Sequence, residues 1–283
     1  MDLPFIRRAL RGIIRNTSFR GRYRLADLIG RWAAPKQPIV LRLNGLRMEL
    51  DQTLLLHRLI YYGLYEEQLL AFVDRFLRPG MIVIDGGCNI GYFAARCLGP
   101  VGAAGRVISF EPSPTCLATL RSLNSATHPP NWSLEPMALS DIPREDIFFD
   151  TPRVLTMGYA CLAGVHDPRD KMPHAVRVTT VDAYRATRRI ERIDLLKLDI
   201  EGSELPALMG ARTSLAEGRI GAVLVETTLD GPRRPEVEAM VDLMRTMGYR
   251  AYLPQPGGRL RPIDLLARHE FRADVVWSRH PEP

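Results

Sequence analysis

No stretch of this 283-residue chain approaches the roughly 18 consecutive apolar residues that a membrane-crossing helix needs. Arg7, Arg8, Arg11 and Arg15 interrupt every apolar segment near the N-terminus, so a secretory leader is not expected either. Cysteine is scarce. The four, at positions 88, 97, 116 and 161, form no C-x-x-C pair, which argues against a disulfide framework and a zinc cage. A reduced, cytoplasmic setting is the expectation. Internal repeats and low-complexity linkers are absent, as is any N-P-P-Y-type motif for holding a flipped base. What remains is an ordinary globular composition, 46% apolar and 25% charged, long enough for one large domain with an appendage.

Positive charge is unevenly placed. The net charge is +6, yet residues 1–36 hold nine Lys or Arg against Asp2 and Asp27, a surplus of seven that leaves the other 247 residues near −1. A near-neutral body argues against an extended nucleic-acid groove across it. The basic arm reads as two short amphipathic helices. Ile6, Leu10, Ile13 and Ile14 make an apolar stripe with Arg7, Arg11 and Arg15 opposite, and Leu25, Leu28, Ile29 and Trp32 repeat the spacing. The pair is expected to pack on the core or on a second subunit, with an anionic membrane surface as the alternative partner.

Residues 38–50 alternate apolar and polar around Asn44-Gly45, the signal of a β-hairpin with a type I′ turn. Helical spacing follows over 54–62 and 66–77 and stops at Pro79-Gly80. Beyond Met81, strands near 82–85, 106–110, 132–137, 194–199, 220–226, 249–253 and 273–278 alternate with helices near 90–98, 114–125, 203–215 and 235–247. The pattern predicts an α/β fold: a doubly wound, mainly parallel seven-stranded sheet, its last strand antiparallel at the edge, behind an N-terminal helical and β-hairpin extension. The division is expected between 1–64, the extension, and 65–283, the main domain. The segment 150–175, with His166 and His174, is too long and irregular for a simple connection and reads as a lid or substrate wall.

Two constellations carry chemistry. Residues 82–93, I-V-I-D-G-G-C-N-I-G-Y-F, are an apolar strand breaking into a glycine turn that opens a helix, and I-S-F-E-P follows, with Glu111 at its tip. A strand, turn, helix and second strand ending in an acid form a site for an adenosine-type cofactor. The turn reads D-x-G-x-N-x-G through Asp85, Gly87, Asn89 and Gly91. Asn89 stands where a pyrophosphate needs bare backbone, and the opening acid repels phosphate while suiting an ammonium and a sulfonium. S-adenosylmethionine is therefore favoured over a dinucleotide, with Glu111 accepting the ribose hydroxyls. Cys88 inside the turn reads as a small apolar filler. The second constellation is D-L-L-K-L-D-I-E-G-S-E at 194–204, a strand with Lys197 inside it and Asp199 and Glu201 at its end. Ligands of open α/β sheets bind beyond the carboxyl ends of strands, which puts these acids in the same crevice. Lys197 within a strand needs a carboxylate partner. Glu204 and Asp194 read as solvated charges at element ends.

Together these stretches resemble the FkbM-type family of S-adenosylmethionine-dependent methyltransferases. The resemblance runs from about Tyr65 to Ser278 through Y-E-E at 65–67, the glycine turn, F-E-P-S-P at 110–114, A-L-S-D at 138–141, V-T-T-V-D at 178–182, L-L-K-L-D-I-E-G-S-E-L at 195–205 and the strand ending at Glu226. The K-L-D-I-E-G-S-E stretch is the most specific, and Gly86 and Cys88 depart from the family's usual aliphatic residue and alanine. The resemblance implies a Rossmann-like class I methyltransferase fold and methylation of a hydroxyl on a sugar, glycan or polyol-like acceptor. It implies that Asp85, Gly87, Asn89 and Gly91 cradle the methionine end. Glu111 with Ser113 would hold the ribose, Met137 and Ala138 would border the adenine, and Glu66 would approach the methionine amino group or the acceptor.

Methyl transfer from a sulfonium is an in-line displacement, so positioning can supply about 7–11 kcal/mol. An alcohol also needs a base as the bond forms, worth typically about 10²–10⁴-fold. Asp199 is the first candidate base and Glu201 the second, with Lys197 orienting both. Spacing offers no third acid for a metal, so none is expected. The competing readings are an RNA methyltransferase guided by the basic arm, an NAD-dependent oxidoreductase, and a membrane-docked scaffold without activity.

Overall fold

In the computed structural model, which describes residues 4–17, 19, 21–32, 35, 37–150, 161–162 and 172–280, the basic arm forms α1 (Pro4–Asn16) and α2 (Arg22–Trp32). The hairpin follows as β1 (Ile39–Leu43) and β2 (Leu46–Leu50), joined through Asn44 at φ 47° and Gly45 at φ 88°. Both central residues are left-handed, as a type I′ turn requires. Next come α3 (Leu55–Tyr62) and α4 (Glu67–Phe76). Ile14, Ala26, Leu46, Met48 and Tyr62 are buried in a cluster that also contains Val83 and Leu195 of the main sheet, so extension and body share one core. A polar clamp holds the arm: Arg58 of α3, 1% exposed, donates through Nη2 to Asp27 Oδ1 at 2.5 Å and through Nη1 to the Gln52 carbonyl at 2.7 Å.

The main domain runs β3 (Ile82–Gly86), α5 (Tyr92–Val101), β4 (Arg106–Phe110), α6 (Pro114–Asn124), β5 (Trp132–Glu135) and β6 (Met137–Leu139). It continues with β7 (Arg144–Asp150), β8 (Cys161–Leu162), β9 (Met172–Thr179), α7 (Val181–Thr187), β10 (Ile193–Leu198), α8 (Glu204–Met209) and α9 (Arg212–Ala216). Then come β11 (Ile220–Leu229), α10 (Arg234–Thr246), β12 (Arg250–Pro254), β13 (Leu260–Pro262) and β14 (Phe271–Ser278).

The large sheet has the order β13-β12-β14-β11-β10-β3-β4-β5 among the described residues. The strands from β11 to β5 are parallel to one another. Neighbouring residues face opposite cores: Val83, Leu195 and Leu224 join one apolar cluster while Ile84, Leu196 and Val225 join the other. A sheet buried on both sides accounts for the nearly continuous apolar runs that the strands show. The chain leaves β3 outward through β4 and β5, then returns to place β10 on the other flank of β3. The switch point therefore lies between β3 and β10, where Asp85 pairs in register with Lys197.

The seven expected strands occupy seven neighbouring positions, with corrections at the edges. The antiparallel β14 does not close the sheet. It inserts between β11 and β12, and the short β13 adds an eighth strand beyond them. The expected helix over 203–215 is broken into α8 and α9 at Gly210, where an added Cβ would meet the Ser140 carbonyl oxygen at 2.1 Å. Close packing against another chain segment overrides helical periodicity there. Most of the segment 150–175 expected to be irregular lies outside the described residues; at its described positions are β8 and the start of β9, in a four-stranded sheet where β7 pairs with β9 and β8, and β9 pairs with β6. Pro173 and the charges of 144–146 hide these strands from a period-two reading. His166 lies outside the described residues.

Candidate active site

A cavity of about 750 Å³ opens at the carboxyl ends of β3, β4, β10 and β11. One half is walled by main chain. After β3 the backbone turns through Gly87 at φ 81° and Asn89 at φ 48° before α5 begins. Gly87 is obligatory, since an added Cβ would sit 2.0 Å from the Asp199 carbonyl oxygen. The Asp199 N–H in turn donates to the Gly86 carbonyl at 3.1 Å, so the turn and the end of β10 are fixed to each other. Glu111, 5% exposed at the tip of β4, accepts from the Asn89 N–H at 2.8 Å and the Ser113 N–H at 2.9 Å. Those bonds aim its carboxylate into the cavity and hold the turn in place. Met137 and Ala138 line the same half.

The opposite half is walled by charged side chains. Lys197, 5% exposed, rises from within β10 with Nζ 2.7 Å from Asp199 Oδ2 and 5.2 Å from the centre of the Phe93 ring. Burial opposes its charge, but Asp199, Glu66 and Asp85 outweigh that and raise its pKa well above the ordinary value. Glu201 follows at φ 53°, in a loop braced by Glu204, which accepts from the Ile200 and Gly202 N–H groups at 3.0 and 2.9 Å. Glu204 is thus a loop brace rather than the solvated charge expected. Likewise Asp194 accepts from the Ile82 N–H at 2.8 Å and ties β10 to β3. Burial, then the neighbouring Asp199 and Glu226, push Glu201 up to about 8. Asp274 is also pushed to about 8, by burial and then Glu66, and burial raises Glu66 and Glu226 as well.

The catalytic candidates Lys197, Asp199 and Glu201 therefore meet in one cavity with Gly87, Asn89, Glu111, Met137, Ala138 and Glu66. Asp85, Gly91 and Ser113 do not line it. Asp85 is fully buried in β3 beneath the turn, where burial, partly offset by Lys197, lifts it to about 6. Gly91, at φ 81°, caps α5, and the Ser113 hydroxyl caps α6 by accepting from the Cys116 N–H at 3.2 Å. These three shape the site from behind. His174 sits in β9 opposite Phe148 and is not part of the wall.

Sequence reasoning missed Glu226 and Asp274 as site residues. Glu226 ends an apolar strand as Asp199 does, which was a usable signal, and the β11–β14 register sets Asp274 beside it. Arg272 reaches Glu226 at 3.2 Å on the rim. Asp199, Glu201 and Glu226 place carboxylate oxygens within 4.8 Å of one another, so the third acid that local spacing lacked comes from the adjoining strand.

A doubly wound sheet with a glycine turn, an acid on the next strand and an acid-lined crevice is the Rossmann-like fold of class I methyltransferases, a class whose cofactor is S-adenosylmethionine. The Methyltransferase FkbM domain model matches residues 85–251, and the chain belongs to that family. Among its relatives, AMB antimetabolite synthetase AmbE of Pseudomonas aeruginosa is 26% identical over 232 residues, covering 69% of this chain and 11% of that protein. Methyltransferase sdnD of Sordaria araneosa is 25% identical over 187 residues, covering 56% of this chain and 71% of that one. The crystal structure of Methyltransferase FkbM from Methylobacillus flagellatus is similar at 16% identity and a TM-score of 0.42, over 90% of this chain and 58% of that chain. The chain thus spans about a tenth of the length of the first relative.

Proposed function

We propose that the protein transfers the methyl group of S-adenosylmethionine to a hydroxyl oxygen of a sugar, glycan or polyol-like acceptor. The observation that carries this reading is the Lys197–Asp199 pair, 2.7 Å apart, facing the same cavity as the glycine turn and Glu111. The bound cofactor supplies an electrophilic methyl carbon on a sulfonium. Gly87 and Asn89 give the methionine end its backbone surface, Glu66 meets its ammonium, and Glu111 accepts from the ribose. Met137 and Ala138 flank the adenine.

Asp199 would take the acceptor hydroxyl's proton, the cofactor supplying the methyl group and departing as S-adenosylhomocysteine. Lys197 fixes the orientation of that carboxylate. Glu201 sits next to it with a raised affinity for a proton and serves as the second acceptor of it. Acceptors rich in hydroxyls suit a wall of carboxylates, each of which accepts hydrogen bonds. A phosphate-rich acceptor does not, because the basic residues lining the cavity among the described residues, Lys197 and Arg272, already pair with Asp199 and Glu226. That charge pattern supports a polyol over RNA, and a sulfonium cofactor over NAD.

The test is incubation of the protein with methyl-labelled cofactor and cell-extract fractions, followed by mass spectrometry. An O-methyl ether on a carbohydrate-containing product is expected. Label on nitrogen or carbon, or in ribonuclease-sensitive material, overturns the acceptor assignment.

A further inference from the structure

The arm contains more apolar surface than the core uses. Along α2, Ala26 and Gly30 are fully buried and Leu25 and Ile29 half-buried, which fills the body-facing side. Leu28 and Trp32, one turn apart, are each 68% exposed. Arg24, a turn before Leu28, and Arg31 beside Trp32 are exposed too, so the outward face mixes bulky apolar and basic groups. Ile13 of α1 adds a 54% exposed side chain. The expected four-residue stripe of α2 is therefore split, half of it inward and half outward. Part of the arm's basic surface is spoken for: Arg11 stacks 4.9 Å over the Tyr61 ring, Arg22 pairs with Glu67 at 2.5 Å, and Arg31 pairs with Asp27 at 3.0 Å while staying 66% exposed at its side chain. Arg8 and Arg24 are exposed to solvent.

We infer that the outward face of α2, with Ile13, docks on an anionic membrane surface. Trp32 and Leu28 enter the headgroup boundary while Arg24, Arg31 and Arg8 meet the lipid phosphates. Charge decides the occupant. Residues 1–36 hold a surplus of seven positive charges over a body near −1, which an acidic bilayer complements. A second copy would bring an equally basic arm against the first. The contact is peripheral, because no helix among the described residues is long and apolar enough to cross a membrane. The helix that carries this face packs on α3, and Leu55, Leu56 and Ile60 of α3 line the cavity. Docking is independent of the acceptor's chemistry and is read without turnover.

The protein carries its own reporter, since Trp132 and Trp277 are 3% and 1% exposed and only Trp32 faces outward. Full-length protein is mixed with phosphatidylcholine vesicles with or without phosphatidylglycerol, at low and high salt, and followed by tryptophan emission and co-sedimentation. A blue shift and co-sedimentation with the anionic vesicles are expected, weaker by roughly tenfold or more on neutral vesicles or at high salt. The double variant Leu28→Ser, Trp32→Ser should lose vesicle binding yet bind S-adenosylhomocysteine like the parent, and Arg8→Glu with Arg24→Glu should weaken binding while keeping Trp32 to report it. Failure to bind anionic vesicles overturns the inference. So does dimerisation through Leu28 and Trp32 in the absence of vesicle binding, which would assign the face to a second copy.

Discussion

The two halves of the cavity are made of different material. On the side we assign to the cofactor the wall is set by backbone: a left-handed turn at Gly87 and Asn89, and Glu111 pinned by two main-chain N–H groups. On the side we assign to the acceptor the wall is side chain: Asp199, Glu201, Glu226 and Asp274 around the buried Lys197. A backbone wall is fixed by local conformation and leaves little room for variation, as the 2.0 Å approach of the Asp199 carbonyl to Gly87's missing Cβ shows. A side-chain wall can change its selectivity and its charge one residue at a time. Binding should therefore fail with changes on one side and chemistry with changes on the other.

The sharpest way to break that division is Asp199→Asn. Loss of the base should lower turnover by about 10²–10⁴-fold, while calorimetric affinity for S-adenosylhomocysteine stays near that of the parent. The variant also leaves Lys197, 6% exposed at its side chain, without its closest carboxylate, so a lower Tm is expected alongside. Unchanged turnover would make Asp199 a structural partner of Lys197 and pass the base role to Glu201. A smaller effect of the opposite kind is expected for Glu111→Ala. Removing an acceptor worth about 1.5 kcal/mol or more per hydrogen bond should weaken S-adenosylhomocysteine by roughly tenfold or more. Equal affinity for both proteins would sink the ribose assignment.

The same contrast explains what the sequence displays. The glycine turn, Glu111 and the K-L-D-I-E run are contiguous, so their chemistry is written in adjacent letters and falls in the observed cavity. Glu226 and Asp274 are 48 residues apart and meet only through the antiparallel β11–β14 register, which no local period encodes. Strand positions from 82 to 110 and 193 to 198 were legible because burial on both faces enforces apolar runs. The strands β7 and β9 were not, since among the described residues their sheet buries only a small cluster of its own, Ala138, Phe148, Val176 and Val178. Asp85 and Ser113 were legible as part of the motif but not as the groups behind the wall, because a motif names positions and not directions. The arm's amphipathic stripe was legible, and its splitting between core and solvent depended on where α3 lies.

The smallest effect concerns stability, and it separates the halves by pH. Glu201 and Asp274 are raised to about 8 and Glu204 to about 7, against ordinary carboxylates in the unfolded chain, in each case by burial first. A folded state that holds these protons more tightly is favoured fully below the unfolded values, and that advantage is lost as pH rises through the folded ones. The ligand-free protein should consequently lose thermal stability steadily between about pH 5 and pH 8. Glu201→Gln removes one of the titrating groups and should flatten the slope. S-adenosylmethionine, bringing positive charge to the same carboxylates, should restore more stability at pH 8 than at pH 5. S-adenosylhomocysteine lacks the sulfonium and should show a weaker pH trend. Thermal shift across a pH series, with each ligand and without, measures all of this in one plate. A flat ligand-free curve would mean that these carboxyl groups ionise in the folded protein as they do in the unfolded chain, and the electrostatic contrast between the two halves would fail with it.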